Sequence, residues 1–562
     1  MTVEREPAPD LAQIASEAIG APNPMIGVSI ESIARSALSL VPVIVRQPGV
    51  FTRDTARMAV EMAMVLAGRC EHDPSADPRF RDNWWRRLPY SLLAKEYLTW
   101  RAALYRFVED SLPRASSEQA QLAAGILAEA WSPTNNLLGN PAALRQLWRT
   151  RGQSLVTGTR HLVHDIRHNG GMPSLAYPGR YRIGVDLAAS PGAVVHRTPT
   201  YELLQYRPQR ADVHRIPVVM IPSPVNKYYF LDLAPGRSLV EYALRRGLQF
   251  FAVSWRNPTA SQHDWSLEHY ARAADDACSV AATIAGAEAA NSLGVCAGGT
   301  ISSLMLGYRA ATGQPMPSAS SYLVSGIDTA WPSSFGEMAG MTGADAAVNR
   351  SRRKGVMPGR DLSRAFGLLR PNELIWGMFV NNYLLGNDPP STDVLAWNTD
   401  VTNLPAALHA DLMRVLLDNP LAQPDGALIA GVPIDLAKVT VDSYTLGALD
   451  DHIVPWQSCY ASARLFGGES RFVAASAGHV QGLVNPPGHP RSRYRTGPDQ
   501  RPDDPNEWMA MSTEHTGTWW DDWILWVTDR SGELGPAPTD LGCAEYPPLM
   551  PAPGRYVHQV AA

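Results

Sequence analysis

The spacing of apolar residues changes partway along the chain. Up to about residue 175 the apolar positions recur at helical intervals, as at Trp100, Leu104 and Phe107. From about residue 180 short β-rich runs alternate with helical stretches, which is typical of a mostly parallel sheet covered by helices on both faces. The pattern predicts a mainly helical N-terminal domain over residues 1–175 and an α/β domain over residues 176–562.

Several runs in the second part have the composition of buried strands, and a long amphipathic stretch over residues 264–287 has that of a helix. The predicted strands cover residues 217–221, 248–255, 292–295, 321–325, 439–446 and 471–475. Between about residues 330 and 435 the alternation lapses, which predicts a cap inserted into the sheet domain where it can gate a site. Two Pro-rich stretches, 488–505 and 536–553, are predicted to be a surface loop and an extended tail.

The run Gly294-Val295-Cys296-Ala297-Gly298 stands where a predicted strand turns into a helical run of small residues. This is the pattern of a nucleophile elbow with cysteine in place of serine. Glycines are needed two positions before and after the nucleophile because its strained backbone tolerates only small neighbours. A sulfur at a helix N-terminus also meets the positive end of the helix dipole, which favours the thiolate. On the motif alone, a buried structural cysteine beside two packing glycines remains the alternative.

A nucleophile of this kind needs hydrogen-bond donors for the oxyanion that forms on the acyl group. The amide of Ala297 is the first predicted donor, because it follows Cys296 at the start of the helix. The second is expected from the loop after an earlier strand, and Val225 is the candidate there.

In enzymes with this elbow, the acid and the histidine follow the nucleophile in chain order, each after a later strand. Asp450-Asp451-His452 follows one predicted strand and His479 follows the next. The order predicts His479 as the general base acting on Cys296 or on an incoming hydroxyl, with Asp451 fixing its tautomer. Asp450 and His452 are alternative candidates for these roles. The structural alternatives are that His479 is a hydrogen-bonded loop histidine and that Asp451 is a solvated acid in a turn, neither with a catalytic role.

Composition narrows the classes of function. The net charge is −5 at pH 7, whereas a nucleic-acid-binding face would show clustered Lys and Arg, so nucleic-acid binding is not expected. No apolar run approaches the roughly 20 residues that cross a bilayer. The start lacks the features of a secretory signal, so a cytoplasmic location is expected. The chain has five cysteines, and their wide separation along the sequence argues against a disulfide framework or a zinc cluster. They are Cys70, Cys278, Cys296, Cys459 and Cys543.

A histidine cluster raises the question of a metal. His161, His164 and His168 have helical spacing, with Asp165 between them. An exposed polar helix face explains this spacing more simply, so no metal is predicted.

Motifs spread from about residue 80 to the tail resemble those of a known family. They are Trp131 to Asn135, Tyr201 to Tyr206, Asn226 to Tyr229, Val253 to Pro258, Gly294 to Gly299, Leu369 to Asn372, Asn382 to Asn387, Trp397-Asn398, Asp451 to Trp456, Gly478-His479 with Asn485 to Pro487, and Trp519-Trp520. Together they resemble the polyhydroxyalkanoate synthases.

That resemblance implies Cys296 as nucleophile, His479 as base and Asp451 as third member, in agreement with the chain order. It implies an α/β-hydrolase fold whose cap closes the site, preceded by a helical N-terminal region involved in dimerisation and granule association. The implied substrates are 3-hydroxyacyl coenzyme A thioesters, and the partners are the growing polyester chain, the granule surface and a second copy of the chain. Coenzyme A is part of the substrate and a product, so no separate cofactor, metal or primer is expected.

The resemblance also bears on substrate length. Ser325 and Gln481, with residues 381–390, look like the type that accepts medium-chain 3-hydroxyacyl groups, whereas residues 447–456 are closer to the short-chain type. Mixed or broad specificity is therefore predicted. The remaining substrate-binding candidates, taken from the motifs, are Trp397, His452 and Arg370.

Two other functions compete with polymerisation. A thioesterase or an intracellular polyester depolymerase has the same elbow and differs only in whether water reaches the acyl-enzyme. A granule-surface or scaffold protein on an inactive fold is the non-enzymatic alternative, with a sticky surface made by Trp519, Trp520, Trp523 and Trp526. At that spacing the tryptophans are more often helix core, and an intact catalytic set argues against a dead enzyme.

Overall fold

The structure, a computed structural model, describes residues 48–69, 72–111, 124–125, 128–177, 179–333, 344–362, 375–451, 453–498 and 502–561. Residue contacts divide the chain into two compact units. The first comprises Met1–Tyr177 with Arg364–Ser391, and the second comprises Pro178–Ser363 with Thr392–Ala562. Part of the segment predicted as a cap is thus grouped with the first unit. The boundary near residue 175 and the cap over 330–435 stay predictions.

The described part of the first unit is built from helices. These are α1 (Pro48–Leu66), α2 (Tyr90–Ser111), α3 (Pro141–Arg149) and α4 (Gln153–His168), followed late in the chain by a short helix, Gly377–Phe379, and a π-helical turn, Val380–Leu384. The Asp165 side chain is buried in α4 and accepts a hydrogen bond from the Tyr383 hydroxyl at 2.7 Å. A Cβ at Gly158 would overlap the Tyr383 backbone, so glycine allows the π-helical turn to lie directly on α4.

The second unit contains a mixed sheet with the order β17-β16-β15-β14-β9-β8-β4-β7-β2-β1-β19. Its strands are β1 (Gly192–Arg197), β2 (Tyr201–Tyr206), β4 (Val218–Ile221), β7 (Phe250–Trp255), β8 (Asn291–Val295), β9 (Ala319–Leu323), β14 (Asp442–Ala448), β15 (Ser470–Ala475), β16 (Arg493–Thr496), β17 (Thr513–Thr516) and β19 (Met550–Pro551). Two-stranded pairings use β3 (Asp212–His214), β5 (Asp232–Ala234), β6 (Arg237–Ser238), β10 (Val356–Met357), β11 (Leu404–Pro405), β12 (Ala427–Ile429), β13 (Val432–Ile434) and β18 (Leu534–Pro536).

Helices of the second unit alternate with these strands, as the pattern predicts. They are α5 (Leu239–Arg245), α6 (Leu267–Ala285), α7 (Ala297–Thr312), α8 (Ala344–Lys354), α9 (Asp393–Thr399), α10 (Ala406–Asp418), α11 (Trp456–Ser462), α12 (Gln481–Val484), α13 (Pro505–Met511) and α14 (Trp519–Thr528). Ser266 starts α6 by accepting the His269 amide, and Gly286 ends it in the left-handed conformation. None of the described helices has the length and apolar character needed to cross a membrane.

The prediction of a mostly parallel sheet is correct for the centre of the sheet and wrong for its edges. The central strands from β15 to β7 pair in parallel. On both sides of them the pairing is antiparallel. All residues of β4 and β7 are buried, as expected for strands covered on both faces.

The two Pro-rich stretches are more ordered than predicted. Strand β16 lies within the predicted surface loop and pairs with β15, and β19 lies within the predicted tail and pairs with β1. Both strands are short and only partly buried. They therefore lack the alternating apolar signal that identifies a strand in sequence.

The tryptophan-rich helix α14 belongs to the core of the second unit. Trp519, Trp520 and Trp523 are buried in the main hydrophobic cluster. The indole of Trp523 donates to the Ser321 hydroxyl at 3.0 Å. The interpretation as helix core is confirmed, and a sticky surface made by these tryptophans is wrong.

Candidate active site

The backbone at Cys296 turns sharply between β8 and α7. Cys296 has φ 51° and ψ −122°, a conformation that is strained for a residue with a side chain. Its amide donates to the Leu323 carbonyl and its carbonyl accepts from the Gly299 amide, both at 2.9 Å. These bonds hold the partly exposed Cys296 side chain out at the end of the strand.

The glycines around Cys296 are required by close backbone packing. A Cβ at Gly294 would lie 2.6 Å from the Gly299 Cα, and a Cβ at Gly298 would overlap the Ile221 carbonyl oxygen. A Cβ at Gly299 would overlap the Ser325 side chain. The first turn of α7 therefore packs directly on the end of β4 and on the residues after β9.

Replacing Gly298 with alanine is expected to push α7 away from the end of β4. Overpacking of this kind costs about 3 kcal/mol in the free energy of unfolding, and it displaces the loop that carries Val225. Urea unfolding measures the loss of stability. Gly535→Ala is the matched control, since a Cβ there meets nothing within 4 Å. Equal stability of the two variants would contradict the close packing at the elbow.

Asp451 and His479 meet at the ends of neighbouring strands, β14 and β15. The Asp450 amide donates to the Ala477 carbonyl at 3.1 Å, which joins the two loops. One carboxylate oxygen of Asp451 accepts the amides of Ile453 at 2.8 Å and Val454 at 3.0 Å. The other oxygen lies 2.6 Å from Nδ1 of His479. With Nδ1 donating to Asp451, Nε2 of the imidazole is free to exchange a proton.

Helix α14 supports the loop that carries His479. The indole N–H groups of Trp519 and Trp520 donate to the carbonyls of Gly482 and Leu483, each at 2.8 Å. Both acceptors belong to α12, which begins two residues after His479. The buried tryptophans thereby fix the position of the histidine.

The charge state of His479 is set by its two neighbours. Burial on its own lowers the pKa of His479, but the Asp451 carboxylate and Cys296 outweigh burial and raise that pKa well above its usual value. The charge of each neighbour favours the protonated imidazole, and Asp451 also accepts a hydrogen bond from it. His479 is thus hydrogen-bonded to Asp451 and interacts electrostatically with both Asp451 and Cys296.

The other cysteines of the described chain differ from Cys296. Burial raises the pKa of Cys278 to about 12 and holds the pKa of Cys459 well above its usual value, so both thiols stay protonated. Cys543 is partly exposed, but it lies in the C-terminal tail. Cys70 lies outside the described residues. Nor do the described residues hold a His, Cys, Asp and Glu grouping suited to a metal ion.

The two predicted oxyanion donors lie at the start of α7 and in the loop after β4. The amide of Ala297 is at the first position of α7, where helix geometry provides no acceptor. The amide of Val225 lies in the loop after β4 and makes a long hydrogen bond of 3.3 Å to the Ser223 hydroxyl. Thr402 fixes this loop by donating to the carbonyls of Pro224 and Val225. Their role as oxyanion donors stays a prediction.

The substrate-binding candidates occupy different environments. Ser325 is fully buried behind the elbow, and its hydroxyl donates to the Leu323 carbonyl at 3.0 Å. Trp397 is buried, and its indole donates to the Lys227 carbonyl at 2.9 Å. Gln481 is exposed at the start of α12. Arg370 and His452 lie outside the described residues. Contact of any of the five with substrate stays a prediction.

Sequence reasoning missed the part that the C-terminal tail plays near the site. The Gln559 side chain accepts the Asn257 amide at 2.9 Å, and its backbone carbonyl accepts Nζ of Lys227 at 2.5 Å. Asn257 in turn accepts the Asn403 amide at 2.9 Å. These bonds connect the tail to the loops after β4 and β7. No local pattern in the sequence signals them, because each bond joins residues far apart in the chain.

Comparison with known proteins extends these observations. The family described as "Poly-beta-hydroxybutyrate polymerase (PhaC) N-terminus" matches residues 76–243, and the alpha/beta hydrolase fold family matches residues 228–486. Poly(3-hydroxyalkanoate) polymerase 1 of Ectopseudomonas oleovorans is 40% identical over 98% of this chain and 99% of its own length. Poly(3-hydroxyalkanoate) polymerase subunit PhaC of Cupriavidus necator is 38% identical over 86% of this chain and 83% of its own length. Among solved structures, a monoacylglycerol lipase of Paleococcus ferrophilus is similar at 13% identity, with a TM-score of 0.31, over 58% of this chain and 99% of its own.

Proposed function

Because the chain belongs to the poly(3-hydroxyalkanoate) polymerase family, we propose that it joins (R)-3-hydroxyacyl units from coenzyme A thioesters into a polyester and releases coenzyme A. It is an acyltransferase on an α/β-hydrolase fold. The observation that supports the mechanism is the 2.6 Å contact between Asp451 and Nδ1 of His479, at the same edge of the parallel strands as Cys296.

In the first step the sulfur of Cys296 attacks the thioester carbonyl. A new carbon–sulfur bond forms, the bond to the coenzyme A sulfur breaks, and His479 gives its proton to the departing thiolate. The amides of Ala297 and Val225 stabilise the oxyanion. One thioester replaces another, so the acyl group remains activated, which an ester on serine would not achieve.

In the second step a 3-hydroxyl attacks a thioester carbonyl. Nε2 of His479 removes the hydroxyl proton as the oxygen–carbon bond forms, and the displaced sulfur takes that proton when it leaves. Asp451 holds the imidazole in orientation and stabilises its charged form. Exclusion of water decides whether the acyl group is passed to a hydroxyl or hydrolysed.

Granule association is part of the same proposal. Large apolar side chains are prominent on the surface of the first unit, where Trp131, Leu138 and Trp148 are each more than three-quarters exposed. Exposed apolar groups of this size favour adsorption to an apolar surface, and a polyester granule is such a surface. A homodimer and a cytoplasmic, granule-associated location follow from the family resemblance.

The test incubates the purified chain with 3-hydroxyoctanoyl-coenzyme A and measures released coenzyme A, free acid and insoluble polymer. Polymer is expected, with little free acid. Free acid equal to the coenzyme A released, with no polymer, would show a thioesterase instead.

The same assay with 3-hydroxybutyryl-coenzyme A tests chain length. Both thioesters are expected to enter polymer, because the site residues combine features of the medium-chain and short-chain types. Strict exclusion of either thioester would contradict the broad specificity.

A further inference from the structure

We infer that an exposed basic face, formed by the end of α8 and by Arg360 beyond β10, binds the phosphate groups of the coenzyme A thioester. This inference rests on the proposed function, which makes that thioester the substrate. The basic face consists of Arg350, Arg352, Arg353, Lys354 and Arg360, which are all exposed. The chain as a whole carries a net charge of −5, so this local concentration of positive charge is invisible in the overall composition.

The packing of α8 turns these cations outward. Ala344, Ala347, Val348 and Ser351 form the buried side of the helix. Ser351 lies 2.9 Å from Nδ1 of His409 in α10, which ties the helix to its neighbour. The opposite side of the helix therefore faces solvent.

Much of this positive charge has no ion-pair partner in the part of the chain that the structure describes. Asp361 lies 3.6 Å from Arg350 and 3.8 Å from Lys354. By contrast, Arg352, Arg353 and Arg360 form no ion pair with any residue that the structure describes. Their guanidinium groups are available for an anionic ligand, and the planar fork of donors suits phosphate oxygens.

The turn after α8 places the basic face at the edge of the sheet that carries the catalytic residues. Gly355 packs on Ala260, which follows the carboxyl end of β7. Strand β7 is separated from β8 by β4 alone. Two strand spacings amount to about 10 Å, so this edge is close to Cys296.

A second set of contacts leads from the basic face to the predicted oxyanion loop. The Gly359 amide, next to Arg360, donates to the Asn403 side chain at 2.9 Å. A Cβ at Gly359 would lie 2.6 Å from the Thr402 carbonyl oxygen. The Thr402 hydroxyl donates to the Val225 carbonyl at 2.7 Å. The backbone at Thr402 and Asn403 thus lies between the residue preceding Arg360 and the loop that carries Val225.

This placement matches the chemistry of the substrate. Coenzyme A carries its thioester at one end and its phosphates at the other, joined by a long uncharged arm. A phosphate site must therefore lie at the same edge of the sheet as the nucleophile but apart from it. Exposed cations there raise the local concentration of an anionic substrate and accelerate its association.

The test uses a double charge reversal, Arg352→Glu with Arg353→Glu, and two thioesters of the same 3-hydroxyacyl group. One is the coenzyme A thioester, and the other is the N-acetylcysteamine thioester, which keeps the reacting group and has no phosphate. For the coenzyme A thioester we expect KM to rise about tenfold with kcat unchanged. For the N-acetylcysteamine thioester neither constant should change.

Arg207→Glu with Arg210→Glu is the matched control. Both arginines are exposed and follow β2, which runs antiparallel to β7, so they lie at the opposite edge of the sheet. The same change of charge there should leave both thioesters unaffected. An equal loss with the two thioesters, or an unchanged KM for the coenzyme A thioester, would overturn the inference.

Direct titration with free coenzyme A separates this inference from the proposed function. The Arg352→Glu and Arg353→Glu variant should bind coenzyme A about tenfold more weakly than the wild type and the control variant. Equal affinity in all three would overturn the phosphate site. If the wild type makes no polymer from either thioester, polymerisation is wrong, and the titration still decides whether the basic face binds phosphate.

Discussion

Replacement of Cys296 by alanine is expected to lower the rate of coenzyme A release from a 3-hydroxyacyl thioester by about 10⁴-fold or more. Alanine has no atom that can form the acyl intermediate, and no other described cysteine lies at the elbow. The fold should survive, because the side chain is only partly buried and the backbone of the turn is held by main-chain hydrogen bonds.

A thiol-reactive dye follows coenzyme A release, and mass spectrometry after brief exposure to substrate detects the adduct. A hydroxyacyl group is expected on the peptide that contains Cys296. Cys543→Ala is the matched control, since Cys543 is also partly exposed but belongs to the tail. Unchanged release by the Cys296→Ala variant would mean that another group is the nucleophile or that the chemistry is of a different class.

Asp451→Asn should have the second largest effect, a loss of up to about 10⁴-fold in turnover. An amide in place of the carboxylate can donate to Nδ1 of His479, which would leave the wrong nitrogen protonated for exchange with the substrate. Asp450→Asn is the control, because Asp450 is adjacent in sequence but exposed. If the Asp450 variant loses the activity and the Asp451 variant keeps it, the assignment of the third member is wrong.

Asp451→Asn should also change how the free energy of unfolding depends on pH. The pKa of His479 is raised in the folded state, so its pairing with Asp451 stabilises the fold below the unfolded histidine pKa of about 6.5. This contribution is lost as the pH rises through the higher folded pKa. The difference in free energy of unfolding between the wild type and Asp451→Asn should thus be larger at about pH 6 than at alkaline pH. Urea unfolding at both values checks this, and an equal difference would contradict the pairing.

The elbow was accessible to sequence reasoning because its requirements are local. A buried strand, two glycines and a run of small residues stand next to one another in the chain, and β8, Cys296 and α7 follow in that order. The central parallel strands were equally accessible, since burial on both faces requires continuous apolar runs. The edge strands β16 and β19 were not, because a short and partly exposed strand has no apolar pattern to detect.

Burial of the substrate candidates could not be judged from the sequence. The motifs indicate Ser325 and Trp397, but the Ser325 hydroxyl and the Trp397 indole N–H both donate hydrogen bonds to backbone carbonyls. Similarly, Arg352 and Arg353 are visible as a basic run. Only the packing of Gly355 and Gly359 reveals which edge of the sheet that run faces.

By itself, then, the sequence determined the fold class and the central strands, because each depends on patterns of residues close together in the chain, and it placed Cys296, Asp451 and His479 each shortly after a strand. The tertiary structure decided the meeting of Asp451 with His479, the contact of the tail with the loop after β4 and the location of the basic face. Those features depend on contacts between residues that are far apart in the chain, and such contacts exist only after the sheet has brought the ends of its strands to one edge.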